Sequence, residues 1–169
     1  MELLMTYPLK DFEIVLGKFL AALSIIIVMI IGTFFYPIIL IFFGVPDFGP
    51  IFTGYLGLIL YSSATLSVGI FASSLSSNQL VSLVVGSGIL SFLTFIDFVS
   101  SRVTGVFGTI LNELQLGGSF SLFDSSSFGI AEGGHFADFA RGIINFYDII
   151  FYISISAIFI VLTIFSLES

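Results

Sequence analysis

The sequence predicts an all-α integral membrane protein with four transmembrane helices plus a short interfacial or re-entrant helix. Three observations carry that reading. Of the 169 residues, 57% are hydrophobic and only 9% charged, with a mean hydropathy of +1.21. Soluble domains carry about 25% charged residues, so this chain could not cover its surface with ionic groups. Four stretches contain no charged residue and approach or exceed the roughly 20 helical residues needed to cross about 30 Å of hydrocarbon. Breaker-rich or polar segments separate them.

Residues 1–18 come first. An apolar start, Leu3-Leu4-Met5, breaks at Thr6-Tyr7-Pro8 and restarts with acids at Asp11 and Glu13 and a base at Lys18. Proline removes a backbone donor and disfavours helix in the residue before it, so an elbow is expected here. The segment lacks the basic region and short apolar core of a cleaved secretory signal.

The first span is expected over residues 19–43. It holds 17 Leu, Ile, Val or Phe residues, worth roughly −5 to −10 kcal/mol toward insertion at about −0.3 to −0.6 each. Pro37 is expected to kink its outer third, with a neighbouring helix or water satisfying the freed carbonyl. Residues 44–50, Gly-Val-Pro-Asp-Phe-Gly-Pro, read as a tight turn. The second span, residues 51–75, is less greasy. Thr65, Gly69 and Ser73 recur at i, i+4 and i+8, a small-residue spacing that lets helix backbones approach closely in lipid. Its Ser and Thr residues are read as packing contacts rather than a polar conduit. A polar turn at residues 73–79 leads into the third span, residues 80–97. That span carries Ser82 and Gly86 at the same spacing and closes on Asp97.

Residues 98–148 form a long connection. Residues 103–116 are moderately amphipathic, and residues 117–134 are rich in Gly and Ser and read as a mobile loop. In "HFADFARGIINFYD", residues 135–148, helical spacing puts Phe136, Phe139, Ile143 and Tyr147 near one face. Asp138, Arg141, Asn145 and Asp148 fall largely on another. A short interfacial helix over about residues 135–147 is expected. The fourth span is residues 149–167. Four spans return the chain to its starting side, and the positive-inside count is tied, with Lys10 and Lys18 flanking one face and Arg102 and Arg141 the other.

Composition excludes several functions. A net charge of −7 with four basic residues rules against nucleic-acid binding, which needs clustered Lys and Arg, and against a polybasic lipid anchor. Without Cys there is no disulfide, thiolate catalysis or cysteine metal site. No Gly-rich phosphate loop with its Lys occurs, so the chain is not itself a P-loop ATPase. No cofactor, metal or catalytic residue is assigned, and the chain is not expected to be an enzyme. His135, the sole histidine, reads as a polar loop or helix-cap residue. Asp97 reads as an acid reaching interfacial water, with a functional role as the alternative. Asp138, Arg141 and Asp148 are the candidate ionic group. Asp138 and Arg141 are an i, i+3 pair that would clamp the interfacial helix, with a substrate-path role or a plain solvated face as alternatives.

Six segments in order also carry a family resemblance. They are "ELLMTYPLKDFEIVLGKFLAA" (residues 2–22), "YP" (36–37), "PDFGPIFTGYLGL" (46–58), "GIFASSLSSNQ" (69–79), "HFADFARGIINFYDI" (135–149) and the terminal "LES" (167–169). Together they resemble the permease subunit of bacterial type-2 ABC transporters, nearest the gliding-motility-associated and copper-processing-like branch. The likeness covers the chain except about residues 99–134.

The resemblance implies the C-terminal part of a six-span permease that pairs with a second permease copy and with a separate cytoplasmic ABC ATPase. The setting would be a bacterial inner (plasma) membrane. Glu2, Leu3, Leu4 and Thr6 would belong to the tail of the cytoplasmic coupling helix that sits on the ATPase, with Tyr7 and Pro8 at its break. Residues 1–18, the 73–79 turn and Ser169 would be cytoplasmic; residues 44–50 and 98–148 would face outward. The chain departs from the family in beginning after the first two spans, in stopping at "LES" where basic residues usually follow, and in carrying Asn145-Phe146-Tyr147 in place of a more charged pattern. A truncated permease is therefore expected. The function implied is an exporter-type permease subunit doing no chemistry of its own. A non-transport four-span scaffold or motility-associated anchor is the alternative.

Overall fold

A computed structural model describes residues 11–44, 46–100, 111, 114–117 and 135–168. Six helices hold most of them: α1 (Asp11–Gly32), α2 (Phe35–Phe43), α3 (Phe48–Ser74), α4 (Gln79–Ser100), α5 (His135–Ala140) and α6 (Phe146–Glu168). No strand occurs among the described residues. Among the described residues four runs are long and apolar enough to cross a membrane: residues 12–43, 48–74, 79–96 and 146–167. The protein is an all-α, membrane-embedded bundle, and its large outward apolar surface, such as Phe42 and Phe43 at 84% and 88% exposure, belongs in lipid.

α3 is the central rod and packs against α1, α4, α5 and α6. At one end of the bundle lie the α2–α3 turn, α5 and the start of α6, where Gly142 meets Pro50. At the other end the Ser166 hydroxyl donates to the Ser74 carbonyl at 3.5 Å, joining the last turns of α6 and α3. Between them α3 and α6 interlock through Phe71 on Phe159, ring centroids 5.6 Å apart, and Ser63 against Ser156 at 3.3 Å. Three buried hydroxyls on α3 and α6 are satisfied within their own helices. Ser67, Ser156 and Thr163 each donate to a carbonyl three or four residues back in their own helix, satisfying the group locally so that a small side chain can face its neighbour.

The packing stripe on α3 differs by one residue from the expected one. Ala64, Val68 and Ala72 are buried, whereas Gly69 and Ser73 are exposed and Thr65 only partly covered. Both stripes hold small residues at the same spacing, so the position of the neighbouring helices, not residue size, chose between them. Gly86 does meet α3: a Cβ there would lie 3.1 Å from Ala72 Cβ.

Helix ends follow local chemistry. α1 covers Asp11–Gly32, so Asp11–Lys18 is already helical and continuous with the first span. The expected kink at Pro37 is instead a break one turn earlier, at Thr33-Phe34. Pro37 has no N–H for the Thr33 carbonyl four residues back, and that carbonyl accepts from the Tyr36 N–H at 3.0 Å. Pro37 then sits in the first turn of α2, where the missing donor has no intrahelical role. α3 supports the break, with Tyr55 stacked on Phe34 at 4.5 Å and its hydroxyl accepting from Thr33 at 3.1 Å. The α3 N-terminus is capped by Asp47, which accepts from the Gly49 N–H at 3.3 Å. In the α3–α4 turn, Asn78 Oδ1 accepts from the Leu80 N–H at 3.0 Å.

The interfacial helix is shorter than expected. α5 stops at Ala140 because Gly142 adopts φ +86 and closes a Schellman cap. The Ile143 N–H reaches the Asp138 carbonyl at 2.9 Å and the Gly142 N–H reaches Phe139 at 3.2 Å. A side chain at Gly142 would meet the backbone strain of that region and Pro50 at 3.2 Å. Residues 143–145 are non-helical, and α6 begins at Phe146, three residues before the expected start.

Candidate functional site: a polar clamp at one end of the bundle

α5 is held on α3 by a close backbone approach. The Thr53 hydroxyl donates to the Phe139 carbonyl at 2.6 Å. One turn along, Gly57 makes room for Phe139; a Cβ there would fall 2.8 Å from Phe139 Cβ. Phe139 joins Ala64, Leu116 and Tyr152 in the main buried apolar cluster.

The other side of α5 is pinned to α6. His135 Nδ1 donates to Asp148 Oδ1 at 2.6 Å, and both side chains are buried. The imidazole stacks on Phe151 at 3.8 Å and lies near Tyr147 at 5.4 Å and Tyr152 at 6.3 Å. The aromatic wall keeps water from the pair, and the second Asp148 oxygen, Oδ2, is buried without a hydrogen-bond partner. One turn into α6, the Tyr152 hydroxyl donates to the Leu116 carbonyl at 2.6 Å. The Leu116 N–H in turn reaches the Leu93 carbonyl of α4 at 3.3 Å. Tyr152 thus ties residues 114–117 to α6 while they rest on α4. The buried Gln115 amide has no partner on either side-chain atom.

The candidate ionic group is not one cluster. No ion pair joins Asp138 to Arg141 among the described residues. Asp138 instead accepts from Asn145 Nδ2 across the Gly142 turn. Asp148 belongs to His135, and Arg141 is exposed at the end of α5. Sequence spacing suggested an i, i+3 pair, but α5 ends at Ala140. His135 does open a helix, yet it is buried and hydrogen-bonded to Asp148 rather than a solvent-facing cap. The usable signal was its coincidence with an acid at the head of an apolar span, since an acid at that depth needs a partner.

Glu2, Leu3, Leu4, Thr6, Tyr7 and Pro8 lie outside the described residues, as do Arg102, 103–110 and 118–134 of the long connection. Of Asp97 only the backbone, in α4, is described. Among the described residues no group of three or more His, Asp or Glu side chains could hold a metal ion.

These features define a membrane-embedded helical bundle of four spans, closed at one end by a short clamped helix. Comparison with family models, curated proteins and solved structures finds no match to this chain.

Proposed function

We propose that the chain is a permease subunit of an ATP-driven ABC transporter of the exporter type, working in a bacterial inner membrane with a separate cytoplasmic ATPase and a second permease copy. The reading rests on the ordered segments at residues 2–22, 36–37, 46–58, 69–79, 135–149 and 167–169. One structural observation supports it. α3 and α6 are interlocked and clamped by α5, whereas Val15 is the only buried side chain among the described residues of α1. A stiff rod lightly held against a tight pair can move as a rigid body, and α1 is the span that follows Pro8 in the sequence. In this reading the ATPase pushes on residues 2–8, α1 and α2 tilt, and the α3–α5–α6 unit stays fixed.

Tagged chain purified from native membranes in mild detergent should bring down an ABC-type ATPase whose hydrolysis rate falls when Tyr7→Asp is introduced. A complex without ATP hydrolysis, or hydrolysis indifferent to Tyr7→Asp, overturns the proposal and favours the scaffold reading. The sidedness is tested separately, on a chain with no native Cys. Gly44→Cys should react with an impermeant thiol reagent in intact cells and Ser77→Cys should not; the opposite pattern inverts the topology.

A further inference from the structure

We propose that the turn at residues 141–147 binds the phosphate headgroup of an anionic phospholipid, with Arg141 as the cation and Ile143, Ile144, Phe146 and Tyr147 set into the surrounding leaflet. The inference stands on the membrane-embedded fold and is independent of any transport role.

Charge sorting at this end of the bundle leads to it. Three acids are described here, and each has a specific donor. Asp47 accepts from the Gly49 N–H, Asp138 from Asn145 and Asp148 from His135. The one described cation, Arg141, has no ion-pair or side-chain hydrogen-bond partner among the described residues and is exposed. Around it the chain exposes four large apolar or aromatic side chains in five positions, Phe146 the most at 80%. The Schellman cap satisfies the α5 carbonyls with backbone donors, so the guanidinium is not needed there.

An exposed cation within an apolar, aromatic collar at the head of a span matches the membrane interface, where a long basic side chain reaches the headgroups while its neighbours sit among acyl chains. The planar guanidinium can also engage phosphate oxygens in two parallel hydrogen bonds. A protein partner of this patch would need an acid facing Arg141; the leaflet supplies phosphates at that depth without one. With a net charge of −7, the chain as a whole repels anionic lipid, so any preference at this turn is local.

The chain contains no Trp, so Phe146→Trp gives a single reporter at an exposed position. The full chain is reconstituted in phosphatidylcholine vesicles doped with brominated phosphatidylglycerol or, in parallel, brominated phosphatidylcholine. Quenching then gives the relative occupancy of the two lipids beside the reporter. About a fivefold preference for phosphatidylglycerol is expected, the ratio set by one basic residue near an anionic surface. Arg141→Gln in the same background should bring the ratio to about one, Arg141→Lys should retain most of it, and Asp138→Asn should raise it. Val28→Trp, exposed on α1, should show no preference. Equal quenching by both lipids overturns the proposal, as does a preference that survives Arg141→Gln. Absence of quenching by either lipid also overturns it, since water or a protein chain then occupies the site.

Discussion

Replacing His135 by Phe separates the His135–Asp148 hydrogen bond from the ring packing around it. The Phe ring can keep the place of the imidazole on Phe151, preserving a stack that contributes about 0.5–1.5 kcal/mol. Among the polar contacts described, the donor to Asp148 is lost. The Asp148 side chain is 6% exposed, its Oδ2 already lacks a partner, and its Oδ1 would lose the 2.6 Å bond. A buried charge stripped of its partner destabilises by about 3–5 kcal/mol. Asp148→Asn is different, because the amide can donate to the Nδ1 of a neutral imidazole in nearly the same geometry. Its loss should be about 1 kcal/mol, the difference between a charged and a neutral bond. In a chain of this size 1 kcal/mol moves the midpoint by about 2–4 °C. His135→Phe should therefore melt roughly 6–20 °C below the parent, and Asp148→Asn about 2–4 °C below. Far-UV circular dichroism in dodecyl maltoside micelles reads both. His135→Phe with Asp148→Leu, which leaves no stranded charge, should regain most of the loss, giving a strong coupling in the double-mutant cycle. The reasoning fails if His135→Phe melts within 3 °C of the parent, or if Asp148→Asn falls as far as His135→Phe.

Two further outcomes follow from the packing of α5 and residues 114–117. Gly57→Ala drives a Cβ to 2.8 Å from Phe139 and should destabilise by about 1–3 kcal/mol, while Gly69→Ala, with nothing within 4 Å, should be neutral or stabilising in the same melts. Equal effects at the two glycines would mean that α5 does not seat on α3 as described. Tyr152→Phe removes the donor to Leu116, worth about 1 kcal/mol. Exchange of the Leu116 amide should then quicken roughly fivefold by mass spectrometry, and an unchanged rate would show that residues 114–117 are held by something other than Tyr152.

Much of the architecture was legible residue by residue. The second and third spans start within three residues of the expected positions, since the breaker-rich turn at 44–50 and the polar turn at 73–79 mark both starts locally, and Asp47 and Asn78 supply the caps there. Less legible were features decided by one backbone group acting at a distance. Pro37 displaced the break to Thr33 because its effect falls on the carbonyl four residues back. Gly142 ended α5 early, although a glycine inside an amphipathic pattern does not announce a left-handed cap.

The sequence alone determined that this chain lives in a membrane as four apolar helices, because lipid demands internally bonded helices of a fixed length and tolerates few charges. It could not determine which small-residue stripe of α3 faces a neighbour, nor that Asp148 belongs to His135 rather than beside Arg141. Those depend on how helices rotate about their axes and on contacts between residues 13 or more positions apart, where no periodicity links the partners. In hydrocarbon the outward faces are as apolar as the inward ones, so the pattern that marks a buried face in water is absent here. Packing and the pairing of a few buried polar groups made the choice.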